Sequence, residues 1–423
     1  MTLILNVVAL GALCVPVWQL SKLNVSRLLA PPLPLLEVPR ATRRPDPLPD
    51  IYYVILDRYA SRDTLARRYG LDNQPFYDFL RSRGFYVAEA SSANYPKTAL
   101  SLASSLNMSY LDDLERTFGR DQRDWQPIYD YMAKNRLVEF LHQQGYTYVH
   151  LGSWWWPTRV GRRAERNIEP WCFPASFYLL LNRTMLAPFV ETGLISALDF
   201  NYRHWRQTHI GFDELHKLLR QPGPKFVFAH FLGPHEPFVL RPDGTLLAGR
   251  EAKRLTWKES YWFQLLGLNR LIERWVDQAL AESAVPPVIV LQSDEGPYPA
   301  DYRTPGRRQD WRQASLQDLR EKSGILYAVY LPDRTYQHFN PQITPVNTFR
   351  VILDQYFGTH LGRLPDRVFI FESEMRPLAF IEITRQIWDQ PPLAQRHTGL
   401  GTGGTGFRFA EGPFLINTLP TEP

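Results

Sequence analysis

Three apolar runs constrain this chain more than anything else in it. They are 51-IYYVIL-56, 225-KFVFAHF-231 and 287-PVIVLQ-292. None alternates polar with apolar residues, so each must be buried on both faces, as in a sheet covered by helices on either side. Shorter runs at 85-FYVAEA-90, 146-YTYVHL-151 and 325-ILYAVYL-331 read as further strands. Amphipathic stretches separate them, and the spacing predicts helices over 74–82, 98–106, 134–144, 211–220, 255–282 and 345–357. No repeat is visible at solenoid periods. The expected class is α/β, with a mostly parallel central sheet and helices on both faces.

The ends of the chain read differently. Residues 2-TLILNVVALGALCVPVWQL-20 carry no charge and are long enough to span a bilayer. They lack the positive leader and small-residue cleavage site of a signal peptide. Residues 1–22 are therefore expected to be a transmembrane segment, and the proline-rich residues 23–50 an extended tether. Basic residues follow the span, and the positive-inside rule taken alone would leave the rest of the chain in the cytoplasm. The main domain is expected over 51–365. Beyond it, 368-VFIFES-373, 378-LAFIEITRQIW-388 and 406-GFRFAEGPFLIN-417 read as short antiparallel strands, forming a small β subdomain over 366–423. The loop 399-GLGTGGTG-406 has no strand-loop-helix context and reads as a connection, not a phosphate cradle.

Composition excludes several classes. The formal net charge of +5 is spread thinly over 423 residues, without the basic clusters of a nucleic-acid binder. Two cysteines, Cys14 and Cys172, allow no disulfide framework and no cysteine-rich zinc site. Cys172 opens 172-CFPAS-176, where Ser176 stands in place of the arginine that a sulfatase C-x-P-x-R motif needs, so Cys172 reads as a buried small residue. His204 and His209 lack a matching acid and read as packing or surface residues. The run 154-WWWP-157 reads as core, with a lipid or sugar surface as the other assignment.

In open α/β sheets, ligands bind at the carboxyl ends of the strands. Asp57 follows the first run, His235 follows the second within 230-HFLGPHEPF-238, and Asp294 and Glu295 follow the third. Any one of these acids would pass as a helix cap or turn former. Together at one edge they would repel, and a divalent cation would remove that penalty. A nucleophile candidate lies in 94-NYPKTALSLASSLNMSYL-111, where Thr98 is expected at a helix start that favours anions. A metal-bound Thr98 hydroxyl would be primed to attack, and Lys97 beside it would offset phosphate charge. A plain threonine N-cap is the competing assignment.

These residues resemble the alkaline phosphatase/sulfatase superfamily. The chain is most similar to its membrane-anchored branch, which includes lipoteichoic acid synthase and the phosphoethanolamine transferases. The likeness rests on Asp57 ending the first strand, Thr98 at a helix start, the H-x-P element at His235 and the S-D-x-G at 293–296. The stretches 344-TPVNTFRVILDQYFG-358 and 364-LPDR-367 extend it, and it spans roughly residues 50–372. The resemblance implies an alkaline phosphatase-like fold and a metal shell of Asp57, Thr98, Asp294 and Glu295, with His235 on the substrate side. Glu295 stands where the family has histidine, which makes the shell all-oxygen and favours Mn or Mg over Zn or Ca. Arg58 stands where many members have a second acid, which favours one ion with Arg58 and Lys97 as substrate-side charges. The resemblance implies a metal-dependent transferase or hydrolase working on phosphoesters of a membrane lipid or envelope glycan, in a domain outside the cytoplasm. A catalytically inactive binding module and a sulfuric ester hydrolase are the alternatives.

Overall fold

A computed structural model describes residues 11–14, 30–34, 37–169, 199–247, 249–303 and 310–388, with scattered positions between 177 and 189. Most of the expected membrane segment 2–20, Cys172, the loop 399–406 and the expected strand 406–417 lie outside the described residues. Among the described residues, no helix is long and apolar enough to cross a membrane.

The strands are β1 (Ile51–Leu56), β2 (Tyr86–Val87), β3 (Thr147–Leu151), β4 (Arg166–Ile168), β5 (Lys225–Phe231), β6 (Val288–Gln292), β7 (Tyr327–Tyr330), β8 (Phe369–Ser373) and β9 (Arg376–Glu382). The first seven form one sheet in the order β2-β7-β6-β1-β5-β3-β4. β1 lies at its centre, parallel to β5 and β6. All six residues of β1 are buried, as its unbroken apolar run requires. β7 runs antiparallel to both β6 and β2. An apolar run fixes burial but not direction, so the sequence carried no signal for this reversal.

The main helices are α1 (Gln74–Ser82), α2 (Thr98–Asn107), α3 (Gln126–Ala133), α4 (Arg136–Gln143), α5 (Phe200–Leu219), α6 (Trp257–Glu282), α7 (Leu316–Ser323) and α8 (Pro345–Phe357). α2, α3, α4 and α8 pack on one face of the sheet, through Leu100, Leu102, Ile128, Phe140 and Phe349 among others. α1, α5 and α6 cover the other face, through Phe76, Leu215, Trp275 and their neighbours. Each fully buried large apolar side chain contributes roughly 1.5–3 kcal/mol, so both layers are firmly held. α6 begins with a capping box, Thr256 and Glu259 reciprocally bonded.

Two expected element bounds change. α5 starts at Phe200, well before the expected residue 211, with Asp199 as its N-cap. The segment 378–388 splits into the end of β9 and a short helix, Thr384–Trp388. The β8–β9 hairpin is a separate two-stranded sheet whose apolar side chains Phe369, Phe371 and Phe380 join the main core beside Tyr95. Finally, the proline-rich segment lies against the body. Thr42 N–H and Arg43 N–H both donate to the Phe357 carbonyl, and Leu33, Val38 and Leu48 pack on the core.

Candidate active site

The register of the three central strands sets the site. Ile55 pairs with His230 on one side and with Gln292 on the other. Side chains alternate faces along a strand, so these three share a face, and so do Asp57 and Asp294 two residues further on. That face is the one covered by α2. Asp57, His230 and Asp294 are all buried, and one ligand atom from each lies within 4.8 Å of the others. Asp57 Oδ1, Asp294 Oδ2 and His230 Nε2 have no hydrogen-bond partner. Buried polar atoms are nearly always paired, so three orphans facing one another mark a site that expects a ligand.

The electrostatics agree. Burial, reinforced by the charge of Asp294, pushes the Asp57 carboxyl well above the usual range. Burial and the neighbouring Glu295 push Asp294 up to about 6. Burial lowers His230 to about 3, so its ring is neutral. Its Nδ1 is engaged by Thr158 Oγ1 at 2.8 Å, which fixes the ring and leaves Nε2 turned toward the two acids.

Thr98 is the first residue of α2, after Lys97 in extended conformation. Its side chain lies close enough to the Asp294 carboxylate to draw the Asp294 pKa down against the larger effects of burial and Glu295. The partial positive charge of the helix N-terminus therefore sits beside the acids. A cavity of about 290 Å³ opens above, lined by Lys97, Thr98, Trp154, His235, Tyr298 and Glu374 among others. His235 Nδ1 bonds the Glu236 carbonyl, and burial, helped by Arg58, holds its pKa well below the usual value. Lys97 Nζ pairs with Glu374 at 2.5 Å and lies over the Tyr298 ring.

Arg58 adopts a left-handed backbone conformation, φ 61°, rare for a side-chain-bearing residue. The turn points its N–H at Asp294 Oδ1, 3.4 Å away, and its guanidinium at Glu295 and Glu236, at 3.3 and 3.1 Å. Glu295, expected among the metal ligands, stands outside the Asp57–His230–Asp294 cluster. Its Oε1 meets Lys322 Nζ at 2.9 Å, with both side chains 2% exposed. Gly296 makes this contact possible: a Cβ there would lie 2.2 Å from the Glu321 carbonyl oxygen, so only glycine lets the end of α7 approach. Burial lowers Lys322 to about 8.

Of the candidates named from the sequence, Asp57, Arg58, Lys97, Thr98, His235 and Glu295 line the cavity and Asp294 lies buried in the cluster with Asp57; His230 and Lys322 were missed. His230 is a polar residue inside a buried strand with the same facing as the acids, which is the signal that would have found it. Lys322 lies in the charged stretch 316-LQDLREKS-323, which reads as a solvated face, and no local signal marks it. The tryptophan run divides: Trp154 and Trp155 line the cavity, and Trp156 is exposed. His204 is buried and His209 bonds the Gly244 carbonyl, so both are packing residues.

No family model matches the chain, and no curated protein matches it. Solved structures do. The C-terminal periplasmic domain of EcEptC from Escherichia coli aligns over 86% of this chain and 99% of that one, at 13% identity and a TM-score of 0.53. The same domain in complex with Zn aligns over 83% and 96%, at 14% identity and a TM-score of 0.52. A phosphonate monoester hydrolase of Agrobacterium radiobacter aligns more loosely, over 76% and 80%, at 13% identity and a TM-score of 0.47. At such identities the likeness is one of fold: the chain shares the α/β fold of the EptC periplasmic domain, in line with the fold that the resemblance implied.

Proposed function

We propose that the protein is a metal-dependent transferase or hydrolase of phosphoesters, with Thr98 as nucleophile. One observation carries the reading: Thr98, at the N-terminus of α2, lines an open cavity with Asp57, beside the clustered Asp57, His230 and Asp294 atoms that lack hydrogen-bond partners. Two carboxylate oxygens and an imidazole nitrogen, unpaired and mutually close, fit one divalent cation. Asp57, His230 and Asp294 would hold it, with the Thr98 hydroxyl alongside. The imidazole shifts the preference from the all-oxygen set expected from sequence toward zinc, with manganese next. The zinc complex of the EptC domain supports the same direction. Glu295 then serves as a counter-ion that fixes Arg58 and Lys322.

The bound cation would supply Lewis-acid activation of the Thr98 hydroxyl and of the phosphoryl oxygens. As Thr98 Oγ bonds to phosphorus the P–O ester bond breaks, and the Thr98 proton is relayed by Asp294 to the departing ester oxygen. Arg58, Lys97 and the α2 N-terminus hold charge on the phosphoryl group. An acceptor hydroxyl or water then attacks the phosphothreonine, the Oγ–P bond breaks, and the proton lost by the attacking group is passed on to Thr98 Oγ. His235 is neutral, with Nδ1 committed to the Glu236 carbonyl, so its Nε2 is set to accept that proton. The periplasmic origin of the EptC domain supports an extracytoplasmic site carried by residues 51–365, tethered through the N-terminal segment, and a lipid or glycan phosphoester as substrate.

The test is hydrolysis of a nitrophenyl phosphodiester with added zinc or manganese, and mass spectrometry of the trapped protein. The reading predicts turnover that Thr98→Ala abolishes and a phosphate adduct at Thr98. Full activity in Thr98→Ala would remove the nucleophile.

A further inference from the structure

Tyr129 separates the catalytic cavity from a second chamber of about 510 Å³, and it lines both. The remaining walls of the chamber include Ala133, Trp156, Arg159, Val160 and Arg162. Tyr129 stands edge-on between two tryptophans, 5.7 Å from Trp156 and 6.2 Å from Trp155 between ring centres. Trp156 is 58% exposed and Val160 41%. Large apolar side chains grouped at a concave surface next to a catalytic cavity point to a ligand. Arg162 and Asp130 also line a further hollow of about 450 Å³ beside Gln126 and Pro127, so the room continues along α3.

The chemistry of the walls selects the ligand. Both arginines of the chamber are already paired, Arg159 with Glu169 at 3.1 Å and Arg162 with Asp130 at 3.4 Å. An anionic headgroup would call for unpaired cations. An acyl chain would call for continuous apolar walls. Flat aromatic faces beside charge-neutral pairs, which offer both donors and acceptors, suit an uncharged ring with one apolar face and many hydroxyls. We infer that the chamber is a glycan subsite, in which a neutral oligosaccharide, one ring stacked on Trp156, forms the part of the substrate that extends from the phosphoester past Tyr129. The placement relative to Thr98 rests on the proposed function, whereas the binding of sugar does not.

The test titrates chitotetraose, maltotetraose and cellotetraose into the full chain by calorimetry, with phosphatidylglycerol vesicles as the lipid arm. At least one tetrasaccharide binds, and Thr98→Ala binds it equally. Trp156→Ala, an exposed position, weakens binding about tenfold, the scale of one aromatic contact. Ala133→Phe, which fills the chamber without touching Trp156's place in the fold, weakens it as well. The inference is overturned if no tetrasaccharide binds, if both variants bind as the parent does, or if only the vesicles bind. Sugar binding that persists while Thr98 proves dispensable for turnover would sink the catalytic reading and leave the subsite standing.

Discussion

Strand β1 is preceded by Asp50 and followed by Asp57, and the two acids have opposite surroundings. Asp50 faces Lys225, the first residue of β5: the Lys225 N–H donates to Asp50 Oδ1 at 3.0 Å, and its ammonium pairs with Oδ2 and with the Gln221 carbonyl. Asp57, at the other end of the same strand, faces Asp294 and a neutral His230, and its Oδ1 has no hydrogen-bond partner. Both acids are desolvated. One has a cation in hydrogen-bond contact, and the other has only Arg58 Nε at 4.0 Å, outweighed by burial and by Asp294. The lesson is that a buried charge becomes informative about function only once its partners are counted. Glu295 adds a third case at the carboxyl edge, an acid whose partners Lys322 and Arg58 are supplied by the fold.

The comparison breaks most visibly at the nucleophile. Thr98→Ala should lower phosphodiester turnover by about a thousandfold or more, with an unchanged melting temperature, because it removes the attacking atom and no core contact. Next come the two ends of β1. Asp50→Ala strands the buried Lys225 ammonium and should cost about 3–5 kcal/mol in chemical denaturation. Asp57→Asn, measured in chelator, should cost nothing or stabilise, because it relieves repulsion with Asp294. Equal losses from both substitutions would erase the distinction.

The pH dependence sharpens it further. Asp57 and Asp294 have folded-state pKa values raised above their unfolded ones, Asp294 to about 6. A raised carboxyl binds protons more tightly when folded, so its contribution to stability is full below about pH 4 and is lost as pH rises toward and past 6. The metal-free protein should therefore lose denaturant resistance across that window, and a saturating divalent ion should restore it at pH 7. The smallest effect expected is on ion affinity in Glu295→Gln, less than about tenfold, against about a hundredfold for His230→Ala; calorimetry reads both. The reverse order would return Glu295 to the ligand set.

Much of this was legible in the chain. The runs 51–56 and 225–231 match β1 and β5 to the residue, and α1 and α8 match 74–82 and 345–357. Unbroken apolar runs and punctuated amphipathic helices carry their own signal. What escaped depends on packing between distant segments. The first half of α5, 200-FNYRHWRQTH-209, lacks an apolar stripe, and its side chains settle on distant segments, Phe200 on Trp154, and Trp205 and His209 on the Gly244 carbonyl. His230 sits inside a strand buried on both faces, and only its parity with Asp57 and Asp294, given the register of β1, β5 and β6, sets it apart. Lys322 is hidden because its partner lies 27 residues away at the end of β6, and only the close pass at Gly296 joins them.

The most direct measurement is calorimetric titration of zinc and manganese into the metal-stripped protein and its Asp57→Asn and Asp294→Asn forms. The account predicts one ion per chain in the parent and a loss of affinity of about a hundredfold or more in each variant. An ion bound as tightly by both variants as by the parent, or no ion bound by any of them, would contradict it.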